Sequence, residues 1–243
     1  MTNQIPSNTN YHRKSSIIVG ILFIIATAAP LLSIAFVPAI FGPENIDQVV
    51  LLAENETSTR LGILLQFMMA FAVASIPIVM YPILTKIDQI MALGYVAGRL
   101  VEGIMFTIGV ICMLALLSLS KGAVQTFAVD TVWNQLSLTL LSILSAESIF
   151  AQFSFSLGSL MFYYMLYKAK LIPRWLAGWS LIGAVLFLAA AFLVMFGVKS
   201  SSNLYISLNI PGALGEMVFA LWLILKGFNP SMVLSESLSV EED

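Results

Sequence analysis

The sequence predicts an all-α fold, a polytopic membrane helix bundle that crosses a bilayer six times, and three observations predict it. Of 243 residues, 59% are hydrophobic and only 10% charged, with a mean hydropathy of +0.96. A surface facing water carries about a quarter charged residues, so this composition excludes a soluble domain. Six segments, 16–41, 60–85, 90–119, 145–168, 174–198 and 206–227, also reach the roughly 20 apolar residues that cover a hydrocarbon core. The third observation is an uneven sharing of basic residues between the connecting loops.

The first span follows Tyr11-His12-Arg13-Lys14. Its apolar run from Ile17 to Phe41 is too long for the core of a secretory signal, and equally long runs follow it, so it reads as a span. Residues 1–15, rich in Asn, Thr and Ser near their start, read as a disordered cytoplasmic tail. Pro30, Pro38, Pro77 and Pro82 fall within the first two spans, where membrane helices tolerate them. Between these spans lies an acidic loop with Glu44, Asp47, Glu54 and Glu56.

The third span carries Arg99 and Glu102, and the sixth carries Glu216. Each such charge costs about 2.5–3.5 kcal/mol at a helix centre on insertion scales unless it finds a partner or water. At 1.5 Å per residue, Glu102 and Glu216 come out near mid-membrane, with Arg99 about one turn from Glu102. Arg99 and Glu102, three apart, share a helix face and can pair, and Glu216 is at the depth to join them.

Residues 120–144 are apolar enough either to lie along the outer interface or to extend the fourth helix outward, and the sequence leaves both open. In the fourth span Ser145, Ser148, Gln152, Ser156, Ser159, Tyr163 and Tyr167 recur at three- and four-residue steps. That is one stripe of a helix, expected to face the bundle interior. Arg60 and Glu147 both fall near the outer boundary, at a depth suited to a second pair.

Orientation follows from the loops. With the N-terminus inside, the cytoplasmic side holds Arg13, Lys14, Lys86, Lys168, Lys170, Arg174 and Lys226, against Arg60, Lys121 and Lys199 outside. Tyr163, Tyr164, Tyr167, Trp175 and Trp179 gather at the basic turn before the fifth span, where amphipathic rings settle among headgroups. Both termini are therefore expected in the cytoplasm. The transmembrane domain covers 16–229, and the acidic end, 230–243, is a second disordered tail.

Chemistry-bearing motifs are scarce. Cys112 is the sole cysteine and His12 the sole histidine, so the sequence offers neither a disulfide nor a metal site. There is no serine elbow, phosphate-binding glycine loop or cofactor motif, and the expectation is a protein that is not an enzyme. A net charge of −2 argues against nucleic acid. Gly94 and Gly98 form a small-xxx-small pair that suits close helix approach, within the chain or in a homo-oligomer.

The run Pro211-Gly212-Ala213-Leu214-Gly215-Glu216, followed by Ala220-Leu221-Trp222-Leu223-Ile224-Leu225-Lys226-Gly227-Phe228-Asn229, resembles the closing signature of the domain-of-unknown-function 4386 family. Arg60-Leu61-Gly62-Ile63, Gly98-Arg99-Leu100-Val101-Glu102 and Leu171-Ile172-Pro173-Arg174-Trp175-Leu176-Ala177-Gly178 are similar to its other blocks. The resemblance runs from about residue 15 to 229. It implies six spans in a bacterial plasma membrane and no known activity, and it draws attention to Arg60, Arg99 and Glu216.

Two readings of function follow. In the first, the protein binds or moves a small solute, ion or lipid through a mid-membrane polar cavity lined by Arg99, Glu102, Glu216, Gln152 and Ser156, with Arg60 at the outer mouth. In the alternative it is a non-catalytic sensor, regulator or self-protection protein, and its buried charges only hold helices together.

Overall fold

The computed structural model describes residues 5–37, 46–126 and 131–229. These residues form seven helices and no strand: α1 (Ile5–Ser33), α2 (Ile46–Glu54), α3 (Glu56–Leu84), α4 (Gln89–Thr126), α5 (Thr131–Ala169), α6 (Arg174–Met195) and α7 (Asn203–Leu225). Six of them are long and apolar enough to cross a membrane, all but α2. The six-span expectation therefore holds, with α1, α3, α4, α5, α6 and α7 as spans one to six.

The helix boundaries follow local chemistry. Asp88 caps α4 by accepting from the Met91 amide at 2.9 Å, and Ser202 caps α7 by accepting from the Tyr205 amide at 3.2 Å. Helix α1 stops at Ser33, short of the expected 41, and residues 34–36 turn. The Ser33 hydroxyl donates to the Gly62 carbonyl at 3.0 Å, which ties the end of α1 to α3. Pro38 and Glu44 lie outside the described residues, as does the expected tail 230–243.

The start of the chain departs from the expected disordered tail. Helix α1 begins at Ile5, and His12, Ser15 and Ser16 are buried. Arg13 donates to the carbonyls of Leu223 at 3.2 Å and Ile224 at 2.7 Å. It supplies partners that the last turn of α7 lacks within its own helix.

The chain divides into two compact units. Unit 1 comprises residues 1–24, 73–100 and 152–243. Its core gathers Phe23, Phe162, Tyr163 and Phe219, whose rings meet at centroid distances of 5.1–6.4 Å. Several of these contacts are edge-on, each worth about 0.5–1.5 kcal/mol beyond its buried area. Small residues set two helix crossings. A Cβ at Gly98 of α4 would stand 3.1 Å from Gly158 Cα of α5, and one at Gly183 of α6 would stand 2.6 Å from Gly212 Cα of α7. Gly94 instead faces the side chain of Met161 of α5. Gly98 of the Gly94/Gly98 pair thus packs against backbone within the chain.

Unit 2 comprises residues 25–72 and 101–151. It holds α2, in the loop expected between the first two spans, with Val49 and Leu52 buried. Ser120 of α4 accepts from the Ala53 amide at 2.9 Å and donates to the Val50 carbonyl at 2.8 Å, which docks α2. Of the stretch 120–144, the described residues 120–126 and 131–144 are helical. Residues 131–144 continue directly into the fourth span as one 39-residue α5, roughly 58 Å long by helix rise and so longer than a hydrocarbon core. Trp133, Ser137, Leu141 and Leu144 are buried along one face of this extension, and Trp133 Nε1 donates to the Leu119 carbonyl at 3.1 Å.

Candidate functional site

Unit 1 brings together polar groups from four helices. Arg99 of α4 is 2% exposed, and its guanidinium lies between two rings, 5.8 Å from the Phe23 centroid and 5.3 Å from that of Phe155. Aromatic faces attract a cation, more strongly when both are desolvated. Glu216 of α7 is within electrostatic range of Arg99, as the depth argument predicted. Part of the Glu216 side chain is exposed while its carboxyl is desolvated, and the ion pairs of the described residues do not include it.

Around this pair stand hydroxyls. That of Tyr163 on α5 lies near Glu216, Arg99, Tyr95 and Ser180. Tyr163 and Ser180 are each 2% exposed, and neither hydroxyl completes a hydrogen bond of ordinary geometry. Ser180 Oγ would stand 3.5 Å from a Cβ at Gly215, the residue before Glu216. The Tyr163 and Ser180 hydroxyls face one another beside the Glu216 carboxyl.

A second polar group in unit 1 is closed on itself. Gln152 of α5 donates to the Phe187 carbonyl at 3.1 Å and to Asn209 Oδ1 at 3.0 Å, and accepts from the Tyr205 hydroxyl at 2.8 Å. Asn209 in turn donates to the Tyr205 carbonyl at 2.7 Å. The network stitches α5 to α6 and α7. Gln152→Ala would strand these partners, and the expected cost is about 1–3 kcal/mol, read as a lower melting temperature in detergent. An unchanged melting temperature would mean that water replaces the amide freely.

The polar stripe of the fourth span is inward only in its middle. Ser156, Ser159 and Tyr163 are buried, whereas Ser148 and Tyr167 are exposed. Ser156 gives its hydroxyl to the Gln152 carbonyl on its own helix at 2.7 Å, so it contributes packing rather than an open donor. Glu102, one turn along α4 from Arg99, is 4% exposed and belongs to unit 2.

Arg60 belongs to unit 2. It is exposed and pairs at 2.8 Å with Glu56, one turn earlier in α3, and not with Glu147. Glu56 also takes Lys121 at 3.0 Å. Glu147 is buried over Gly109, where a Cβ would come within 3.1 Å of its carboxyl. Depth alone could not reveal that Glu56 is nearer to Arg60 along the same helix. The sequence reading missed Tyr205, Asn209 and Ser180. Tyr205 and Asn209 did carry a signal, the i,i+4 step of two polar residues in an apolar span.

Among the described residues no group of three or more His, Cys, Asp or Glu is placed to hold a metal ion. No curated protein and no solved structure matches the chain. A family model for a domain of unknown function does match it, over residues 18–227, which include Arg99, Gln152, Tyr163, Ser180 and Glu216. The chain, with its six helices long and apolar enough to cross a membrane, belongs to the DUF4386 family.

Proposed function

We propose that unit 1 binds a small polar solute or ion at Glu216 and carries or senses it across the membrane without covalent chemistry. Arg99, held between Phe23 and Phe155, is the fixed counter-charge. The Tyr163 and Ser180 hydroxyls complete the binding surface. One observation carries the reading: a desolvated carboxyl in the apolar helix α7 faces Arg99 and lies beside the buried Tyr163 and Ser180 hydroxyls. An intramembrane ionisable group is functional by default. A bacterial plasma membrane with both termini inside is the setting we assign. The gathering of Arg13, Lys170, Arg174 and Lys226 at one end of unit 1 supports that orientation.

The rival reading, a regulator or self-protection protein with purely structural charges, draws on the same aromatic clamp around Arg99. Water access separates the two. In a Cys112→Ala background, Glu216→Cys and Ser180→Cys are treated in intact cells with a membrane-impermeant thiol reagent. The exposed site Lys199→Cys is the positive control and the core site Phe219→Cys the negative one. Labelling at 216 at least about tenfold faster than at 219 is expected of a hydrated site. Silence at both 216 and 180, with the Lys199→Cys control labelled, would sink the binding reading.

A further inference from the structure

At the end of unit 1 where Arg13 meets the last turn of α7, two chain turns line an open pocket of about 480 Å³. The first turn, residues 170–173, joins α5 to α6, and the second, 226–229, follows α7. Leu171, Ile172 and Phe228 form a buried apolar floor, with Trp222 along the wall. Lys170, Arg174 and Lys226 line the same pocket and are exposed, and among the described residues no carboxylate lines it.

The pocket is built to keep its shape. The Asn229 amide donates to the Leu171 carbonyl at 2.8 Å and locks the two turns together. Gly227 makes the return at φ +76°. Lys170 itself sits at φ +52°, a left-handed conformation that a lysine keeps only where its surroundings hold it. The C-terminal carbonyls of α7 would repel an anion, but Arg13 occupies two of them. Arg174 also stacks over the Tyr167 ring, 5.6 Å from its centroid, beside the exposed Trp175. Exposed aromatic rings of this kind settle at headgroup depth.

An apolar floor under three cations fits an anion with an apolar body. We propose that this pocket binds the phosphate group of an anionic phospholipid, with Lys170, Arg174 and Lys226 as its charge partners. The chemistry is shared with free phosphate, and the apolar floor favours the lipid. The inference is independent of the Glu216 site, and neither stands or falls with the other.

The full chain, purified in detergent, is titrated with phosphatidylglycerol or phosphatidylcholine and its bound lipid counted by native mass spectrometry. Wild type is expected to retain phosphatidylglycerol over phosphatidylcholine by at least about tenfold. Lys170→Gln, Arg174→Gln and Lys226→Gln together should lower that retention by at least about tenfold, as three lost surface charges imply. A control with Lys14→Gln, Lys168→Gln and Lys199→Gln removes equal charge elsewhere and should retain the lipid. All six side chains are exposed, so both variants are expected to fold. Displacement of the lipid by inorganic phosphate would make free phosphate the ligand; resistance to it identifies the lipid. Equal retention by the pocket variant and wild type, or equal loss in the control, would overturn the proposal. So would wild type showing no preference for the anionic lipid and no competition by phosphate, a result that needs no variant at all.

Discussion

Gly183→Leu is expected to abolish the folded protein, leaving little of it monodisperse after extraction in detergent. At this crossing the backbones of α6 and α7 touch, since even a Cβ would stand 2.6 Å from Gly212 Cα and 3.3 Å from Gly212 N. Those are backbone atoms, and no rotamer change can move them aside. Overpacking a core costs about 1–3 kcal/mol where side chains can give, and a backbone obstacle puts this substitution at or above that range. The damage would spread, because the same two helices hold Ser180 and Glu216 and supply the Phe187 and Asn209 partners of Gln152. Gly178→Ala is the control. It lies on α6 one turn and a half away, where a Cβ would meet only Tyr167 at 4.0 Å, and it is expected to be neutral or stabilising by up to about 1 kcal/mol from helix propensity. Recovery of Gly183→Leu at wild-type yield and melting temperature would show that α6 and α7 can pack without this close approach.

The Gly183 crossing also shows what the sequence could and could not disclose. Span number and approximate position were legible because length and apolarity suffice when every backbone group must be satisfied within a helix. The third-loop ambiguity was not resolvable by hydropathy. What decided it was Trp133, Ser137, Leu141 and Leu144 at helical spacing, buried within unit 2, and the indole of Trp133 finding a carbonyl of α4. Similarly, α2 is a nine-residue helix in an acidic stretch, stabilised by burial of Val49 and Leu52 and by Ser120 rather than by its own propensity. In the candidate site, depth arithmetic placed Arg99 and Glu216 together because rise per residue is fixed. It could not place Ser180, one of many small residues in a uniformly apolar span. Nor could it foresee that Arg60, at the same outer level as Glu147, would be satisfied by Glu56 four residues before it.

A double substitution tests which carboxyl answers Arg99. Arg99→Gln alone is expected to destabilise by about 3–5 kcal/mol, the range for breaking a buried pair and leaving an uncompensated charge. Part of that loss is the stacking on Phe23 and Phe155, which no change at a carboxyl can restore. Adding Glu216→Gln removes the charge that Arg99 faces on α7. If the two are a coupled pair, the double variant should recover at least about 1 kcal/mol relative to Arg99→Gln, measured by thermal or denaturant unfolding in detergent. Glu102→Gln in the same background makes the parallel comparison for the carboxyl three residues along α4. Recovery through Glu102 but not through Glu216 would make Arg99 and Glu102 the resident pair and leave Glu216 answerable to a guest. Recovery through Glu216 alone would tie that carboxylate to the fold. The solute reading at Glu216 would then need a ligand able to displace a resident arginine, which binds a carboxylate with up to two parallel hydrogen bonds. Arg99→Lys sharpens the test: it keeps the charge but loses the planar face that stacks between the rings, so it should restore the electrostatic part of the stability and not the rest.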